Sequence, residues 1–355
     1  IPKVQRAVVT PVVGERLNLQ ITDNAPVVYP TEEGEVLVRI AWTGICRSDA
    51  CFSIGPEPGF PSHNHIAGHE GIGRIVRSRD EQWIGKAVAT RYMGSTCGEC
   101  LYCVKGLIES CRAQTSLPKH YNGTFQEYMV APLKALVMLP DWIFTTPDIS
   151  PARYTAALCS GSTALNGVRA ADPRPGDIVV VIGVCGAIGH LTGMIAKAVF
   201  GARVIGVEFP GKKDCFDAVA AEKIYDVFVP VVAGSGEADW EQYLQDLRDA
   251  CHLLRGSGSE GADAVISTAS SVAGFCNLPD LVRDGGSIVC LGYRQLKIQG
   301  SLMAGSDSAM RVMEWIRDGT IEPQIREVGL EDVLGCLQGS LDFRNSGKTV
   351  VRVAS

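Results

Sequence analysis

The stretch "DIVVVIGVCGAIGHLTGMIAKAVF", residues 177–200, decides the fold. It opens with the apolar run 178–182, the pattern of a strand buried on both faces. From Ala187 onward the apolar positions recur at helical spacing. Between the two lies Gly183-Val-Cys-Gly186-Ala-Ile-Gly189, a G-x-x-G-x-x-G turn rather than the commoner G-x-G-x-x-G. Glycines at a strand-to-helix turn permit a tight reversal and close approach of backbone to a pyrophosphate, which then sits at the positive end of the helix. The next strand, "ARVIGVE" (202–208), ends in Glu208, 19 residues after Gly189. An acid there accepts hydrogen bonds from the adenine ribose hydroxyls. It also repels a 2′-phosphate, at a cost on the order of several kcal/mol. Singly, the glycines could also form an ordinary turn and Glu208 be an exposed strand-end acid. In this order they predict binding of NAD(H) rather than NADP(H).

Working outward, further strands are expected at "KIYDVFV" (223–229), "GADAVIST" (261–268) and "GGSIVCLG" (285–292), with helical stretches at 211–222, 237–254 and 271–283. Strands alternating with helices give a parallel, doubly wound sheet, and "LKIQGSL" (296–302) is a candidate sixth strand. Upstream, short alternating runs such as "GEVLVRIAW" (34–42) and "EGIGRIVRS" (70–78) predict an irregular β domain. The tail turns to helix and then strand in "GKTVVRVA" (347–354). The expected division is 1–152, 153–303, and a C-terminal return of 304–355 to the first domain.

A chain of 355 residues is too long for one ordinary core, which favours two domains. A hydrophobic fraction of 46% and a charged fraction of 20% are those of a soluble globular protein. No apolar run approaches the ~20 residues of a membrane span, and "IPKVQRAVVT" lacks the layout of a signal peptide. A net charge of -6 argues against non-specific nucleic-acid binding. Thirteen cysteines, an odd number, fit a reducing compartment such as the cytoplasm, where thiols serve as metal ligands or small core residues.

Four of those cysteines stand together in "CGECLYCVKGLIESC": Cys97, Cys100, Cys103 and Cys111. Four thiolates so close in sequence suit a closed tetrahedral zinc site, which has no open position and is therefore structural. The lobe spans about residues 94–113. An iron–sulfur cluster is the chemical rival, and a disulfide pair a third reading. A second set is dispersed: Cys46 in "GICRSDAC" (44–51), His69 and Glu70 in "AGHEGIG", and Cys159 in "AALCSGSTALNG". Two cysteines and a histidine are the kind of set that leaves a fourth zinc position open. By spacing alone each of them reads more readily as a core residue, as a lone His or Cys more often is.

Cys46, "GHEG" (68–71), the four-cysteine lobe, "LCSGSTA" (158–164), the glycine turn and Glu208, in that order, resemble the zinc-dependent alcohol dehydrogenases of the medium-chain dehydrogenase/reductase superfamily, especially the shorter microbial-type branch. The resemblance covers nearly the whole chain. It implies a GroES-like catalytic domain joined to a Rossmann domain, an active site in the cleft between them, and a homo-oligomer, dimer or tetramer. It implies two zinc ions per chain and NAD(H), acting on a small-molecule alcohol or carbonyl substrate, with no nucleic-acid or membrane partner. Cys46, His69 and Cys159 would hold the catalytic zinc, with Glu70 a transient ligand. Asp49 would orient His69, and Ser48 would take the proton from the alcohol. Arg47 and Lys348 match positions near the cofactor pyrophosphate, Lys348 standing where the family often has Arg. Thr163 and Ile188 match positions packing the nicotinamide, and Lys213 one near the adenosine ribose.

The chain also departs from the family. Cys51 stands where many members carry a histidine that passes the proton to solvent, and a thiol with a reference pKa of ~8.5 is a poorer shuttle at neutral pH. The relay then ends at the ribose and water, or at another histidine such as His63, His65 or His120. Ser53 and Glu57 replace aromatic residues of ethanol-type pockets, while Tyr92 keeps an aromatic one. This predicts a substrate larger or more polar than ethanol. The segment around 292–296 is shorter than the family's. Two other functions fit less well: non-redox isomerase or lyase chemistry at the zinc or cofactor site, and a catalytically inactive nucleotide-binding protein.

Overall fold

The computed structural model describes residues 1–12, 14, 16–54, 66–231, 237–256, 260–291, 300–301, 305–342 and 344–353. The chain divides into two compact units, Ile1–Cys159 with Ile325–Ser355, and Ser160–Gln324. The return to the first unit therefore comes at Ile325, not at 304. The helix Ser306–Arg317, expected to belong to the return, packs on the helix Ser162–Ala171 of the second unit, where Arg169 also donates to Ser308 Oγ at 3.2 Å.

The first unit is built on a seven-stranded sheet. Its path runs Ile325–Val328, Lys348–Arg352, Glu35–Gly44, Gly71–Arg77, Ala87–Ala89 and Val137–Met138, with Tyr128–Pro132 pairing off Glu35–Gly44. All pairings are antiparallel except Ile325–Val328 with Lys348–Arg352. Both runs expected as strands, 34–42 and 70–78, lie in it. Their buried faces, with Val36, Val38, Ile40 and Ile75, join Phe125, Met129, Leu337 and Val351 in one core. The unit is an irregular, mostly antiparallel β assembly, built from Ile1–Cys159 and the C-terminal Ile325–Ser355.

The second unit is a six-stranded parallel sheet. Its order is Val227–Pro230, Arg203–Glu208, Ile178–Ile182, Ala262–Ser267, Val282–Leu291 and Gly300–Ser301, so the first strand in sequence lies third in space. That reversal is the switch point of the doubly wound dinucleotide fold. The central strand Ile178–Ile182 is buried throughout, as its unbroken apolar run requires. The sixth strand covers only part of 296–302, the rest lying outside the described residues.

Two helical expectations change. The region 211–222 becomes a short turn, Pro210–Lys212, and a helix that starts only at Ala218, where Asp217 accepts from the Ala220 N–H at 2.8 Å. The region 271–283 holds two single turns, Val272–Phe275 and Leu278–Leu281, and then enters the strand. Pro279 disfavours helical backbone at Leu278, and Asn277 takes a left-handed conformation (φ 53°) that breaks the run.

Candidate metal centres and cofactor site

The lobe cysteines converge as their spacing predicts. Sγ separations are 3.6 Å for Cys97–Cys111, 3.6 Å for Cys100–Cys103 and 3.9 Å for Cys97–Cys103. A tetrahedron with zinc–sulfur arms of ~2.3 Å has edges of about 3.8 Å. The lobe is thus shaped for one four-coordinate ion, whereas an iron–sulfur cluster would stand between the thiolates and hold them further apart. Backbone N–H groups of Glu99 and Cys100 pull the Cys97 thiol down to about 6, favouring the thiolate that a metal needs.

The dispersed set also comes together. Ligand atoms of Cys46, His69, Glu70 and Cys159 all lie within 4.8 Å of one another. Each arrives by its own local device. Cys46 caps the short helix Arg47–Ser53, and its N–H donates to Asp49 Oδ2 at 2.9 Å. The other oxygen, Oδ1, lies 2.7 Å from His69 Nδ1. One buried carboxylate therefore fixes two ligands and leaves His69 Nε2 facing the cluster. His69 sits after Gly68, whose φ of 96° and missing Cβ let the chain lie against Thr124 and Phe125; a Cβ there would meet Thr124 Oγ1 at 2.4 Å. Cys159 projects from a π-helical turn, Ala157–Gly161, a local widening that is common at functional sites.

The electrostatics suit a cation. The hydrogen bond from Cys159 pushes the Cys46 thiol well below its ordinary range, and the same contact with burial pushes Cys159 well above it. The contact thus favours a thiolate at Cys46, where a metal would bind. Burial opposes charge on His69, but Asp49 outweighs it and raises the imidazole's pKa. Burial raises the Glu70 carboxyl, against the pull of Lys348. Glu70 Oε2 is buried with no hydrogen-bond partner among the described residues, a free acceptor at the edge of the cluster. The donor set fits zinc: two sulfurs, one imidazole nitrogen and a carboxylate within reach.

Several positions depart from expectation. Lys348 was expected near the pyrophosphate. It is fully buried instead, its Nζ 2.5 Å from Glu70 Oε1 and donating to the Ile45 carbonyl at 3.1 Å. Ser53, expected to line the pocket, is fully buried and donates to the Asp49 carbonyl at 2.8 Å, the back-bond that serine makes one helical turn on. Glu57, His63 and His65 lie outside the described residues. The sequence reading missed Phe52. Its ring stacks on Tyr92 at 5.9 Å, and both meet His69 edge-on. Ser48 stands with its Oγ 3.7 Å from Cys46 Sγ. Arg47 and Cys51 are half-buried on the same helix. His120 Nδ1 accepts from the Ser116 N–H at 3.0 Å.

In the second unit, Gly183 turns the chain with a φ of 81°, and Gly186 caps the helix Ala187–Ala198 that carries Ile188 and Gly189. Glu208 ends the neighbouring strand, its side chain accepting from the Phe209 N–H at 3.1 Å. Lys213 is exposed just beyond, and Thr163 is buried in Ser162–Ala171. No helix among the described residues is long and apolar enough to cross a membrane.

Residues 32–141 match the alcohol dehydrogenase GroES-like domain. Alcohol dehydrogenase 2 of Emericella nidulans is 26% identical over 379 residues, covering 99% of this chain and 98% of that one. An alcohol dehydrogenase of Geobacillus stearothermophilus is 24% identical, over 91% of this chain and 92% of its own. Among solved structures, an NAD-dependent alcohol dehydrogenase superposes with a TM-score of 0.78 at 25% identity, over 98% of this chain and all of that one.

Proposed function

We propose that this chain is an alcohol dehydrogenase of the medium-chain dehydrogenase/reductase superfamily and that it transfers hydride between NAD(H) and an alcohol/carbonyl pair, using two zinc ions per chain. The observation that carries the reading is the buried set Cys46, His69, Cys159 and Glu70, with His69 held by Asp49. A zinc ion there supplies a Lewis acid that lowers the pKa of a hydroxyl group, and NAD(H) supplies the hydride acceptor or donor. The second zinc belongs to the four-cysteine lobe, where it is structural.

The chain's own residues do the rest. Ser48, beside Cys46, takes the substrate proton. Cys51 follows on the same helix where relatives carry a shuttling histidine, so proton release runs through Ser48 and the ribose to water. Glu70 offers its free Oε2 to the zinc, while Lys348 holds its other oxygen. The stacked pair Phe52 and Tyr92 gives His69 an apolar flank that keeps water from it. Gly183, Gly186 and Gly189 admit the pyrophosphate, assisted by Arg47. Glu208 binds the adenine ribose with Lys213 close by, and Thr163 and Ile188 pack the nicotinamide. The substrate is an alcohol larger than ethanol, a reading that now rests on Glu57 alone, since Ser53 faces its own helix. Six of the thirteen cysteines act as thiol ligands in this scheme, which suits the cytoplasm. The assembly is a homo-oligomer, as in the family.

The test is formation of reduced nicotinamide from NAD with a panel of primary alcohols, and its loss with aldehydes, before and after chelation. Turnover that chelation abolishes and zinc restores is expected, with kcat/KM rising beyond ethanol. Bound zinc without turnover of any alcohol or aldehyde would refute the reading. Equal or better kcat/KM for ethanol would refute the size preference.

A further inference from the structure

Two cysteines that neither metal set uses face each other beside the cofactor turn. Cys185 is the third residue of the glycine turn and is fully buried. Cys215 lies in the segment that follows Glu208 and is half-buried. Their sulfurs are 2.6 Å apart, the Cys215 thiol donating to Cys185, whose own thiol donates to the Lys212 carbonyl at 3.4 Å. The ladder between Ile178–Ile182 and Arg203–Glu208, continued by the Gly183 N–H to the Val207 carbonyl at 2.9 Å, holds the two segments side by side.

We propose that Cys185 and Cys215 form a reversible disulfide that closes the adenosine half of the NAD(H) site, an inference that rests on the cofactor reading above. The glycine turn is the wall that approaches the pyrophosphate, and the segment after Glu208 is the wall beyond the ribose acid. A disulfide holds its sulfurs at ~2.05 Å, which fixes the spacing of these walls. In the reduced, dithiol form the walls can part to admit adenosine. Linkage is reciprocal, so bound NAD(H) disfavours the bridge at equilibrium by the same coupling.

The oxidant is a hydroperoxide, hydrogen peroxide being the simplest. Cys215, the more exposed, attacks as the thiolate. Its S–O bond forms, the peroxide O–O bond breaks, and the departing hydroxide takes a proton to leave as water. The Cys185 sulfur then attacks the resulting sulfenic acid: the S–S bond forms, the S–O bond breaks, and a second water leaves with the Cys185 proton. Two thiols are oxidised and one peroxide is reduced to two waters. A dithiol reductant reverses the step by exchange. Contact with Cys215, together with burial, pushes the Cys185 thiol well up, which leaves Cys215 as the sulfur that meets the oxidant first.

The experiment treats zinc-loaded protein with hydrogen peroxide, maps peptides by mass spectrometry, and titrates NADH by calorimetry with zinc content followed in parallel. The expected result is a linked peptide pair containing Cys185 and Cys215, an NADH Kd raised about tenfold or more, and recovery with dithiothreitol at unchanged zinc content. Saturation with NADH beforehand should disfavour the linkage. Cys215→Ser should bind NADH normally and ignore peroxide. Absence of the linked pair, or its presence with an unchanged Kd, would overturn the proposal. Failure of the untreated, reduced protein to bind NADH would overturn the cofactor reading and the gating with it, whatever the peptide map shows.

Discussion

Gly186→Ala and Gly189→Ala separate the two jobs of the glycine turn. A Cβ at Gly189 would lie 2.0 Å from the Gly183 carbonyl oxygen, 2.7 Å from its carbon and 2.8 Å from Val184 Cα. All three are backbone atoms, so no rotamer relieves the clash, and the start of Ala187–Ala198 must lift off the turn. Overpacking costs typically 1–3 kcal/mol, and a backbone-on-backbone clash belongs at about 3 kcal/mol. For a unit the size of Ser160–Gln324, each kcal/mol moves Tm by ~2–4 °C, which gives a loss of roughly 6–12 °C. At Gly186 a Cβ would meet only the Gly183 oxygen, at 3.3 Å, and the backbone (φ -73°, ψ 169°) suits any residue. Reduced freedom of the unfolded chain returns ~0.4–1 kcal/mol, so the fold should hardly notice. The added methyl would, however, stand on backbone that must approach the pyrophosphate. NADH binding should weaken about tenfold, ~1.4 kcal/mol. Scanning calorimetry of ligand-free protein and NADH titration read the two effects separately. A larger loss of Tm in Gly186→Ala than in Gly189→Ala, or normal NADH affinity in Gly186→Ala, would refute the division of labour.

Lys348→Met should destabilise the first unit by about 3–5 kcal/mol, because it leaves the fully buried Glu70 carboxylate without its cation. Adding Glu70→Gln should return much of that loss, and a urea double-mutant cycle showing strict additivity would contradict the pairing. In the second unit, burial raises the Asp263 carboxyl, but the Ile178 N–H at 2.7 Å and Arg283 at 2.6 Å, helped by Arg255 at 3.0 Å, outweigh it and hold its pKa below the usual range. A pKa depressed by folding contributes stability above the unfolded value of ~3.9 and loses it as pH falls through the folded value. Asp263→Asn should therefore cost about 1–3 kcal/mol near neutral pH and progressively less in acid. A penalty that does not change with pH would count against the ion pairs.

The second unit was legible because its signals are local. An apolar run, a glycine turn and a helical period occupy 177–200 without a break, and Glu208 follows on the next strand. The stretch 271–283 was misread because its apolar spacing resembles a helix, while Pro279 and Asn277 forbid one. The return point was misplaced because Ser306–Arg317 is amphipathic towards a helix that sequence does not reveal. The four-cysteine lobe was legible because 15 residues carry all four sulfurs. The dispersed set was less so: Cys46 and Cys159 are brought together by a sheet and a π turn, so ligand type suggested the set but spacing could not support it, and the family resemblance carried it. Phe52 and Lys348 were missed or misplaced for the same reason. One signal did exist for Lys348. It opens "KTVVRV", a run whose other residues predict a buried strand, and a lysine at such a place needs an acid beside it.

That acid explains why a lysine serves here. With a metal bound, Cys46 and Cys159 would be thiolates and Glu70 a carboxylate, three negative charges whose ligand atoms lie within 4.8 Å of one another, Glu70 fully buried and the cysteines partly so. A divalent ion would neutralise two of them. The third needs a cation that is itself buried, and Lys348 is fully buried against Glu70. Burial opposes its charge, yet Glu70, Cys46 and Cys159 together push its pKa up to about 12, so the ammonium persists. Asp49 needs no further cation, because the Cys46 N–H and the His69 ring each occupy one of its oxygens. The compact ammonium reaches Glu70 Oε1 and the Ile45 carbonyl, and it leaves Oε2 free towards the cluster. A guanidinium forks across both oxygens of a carboxylate. Here the ammonium takes only one oxygen, so the pairing seen in this chain leaves Oε2 available to a metal.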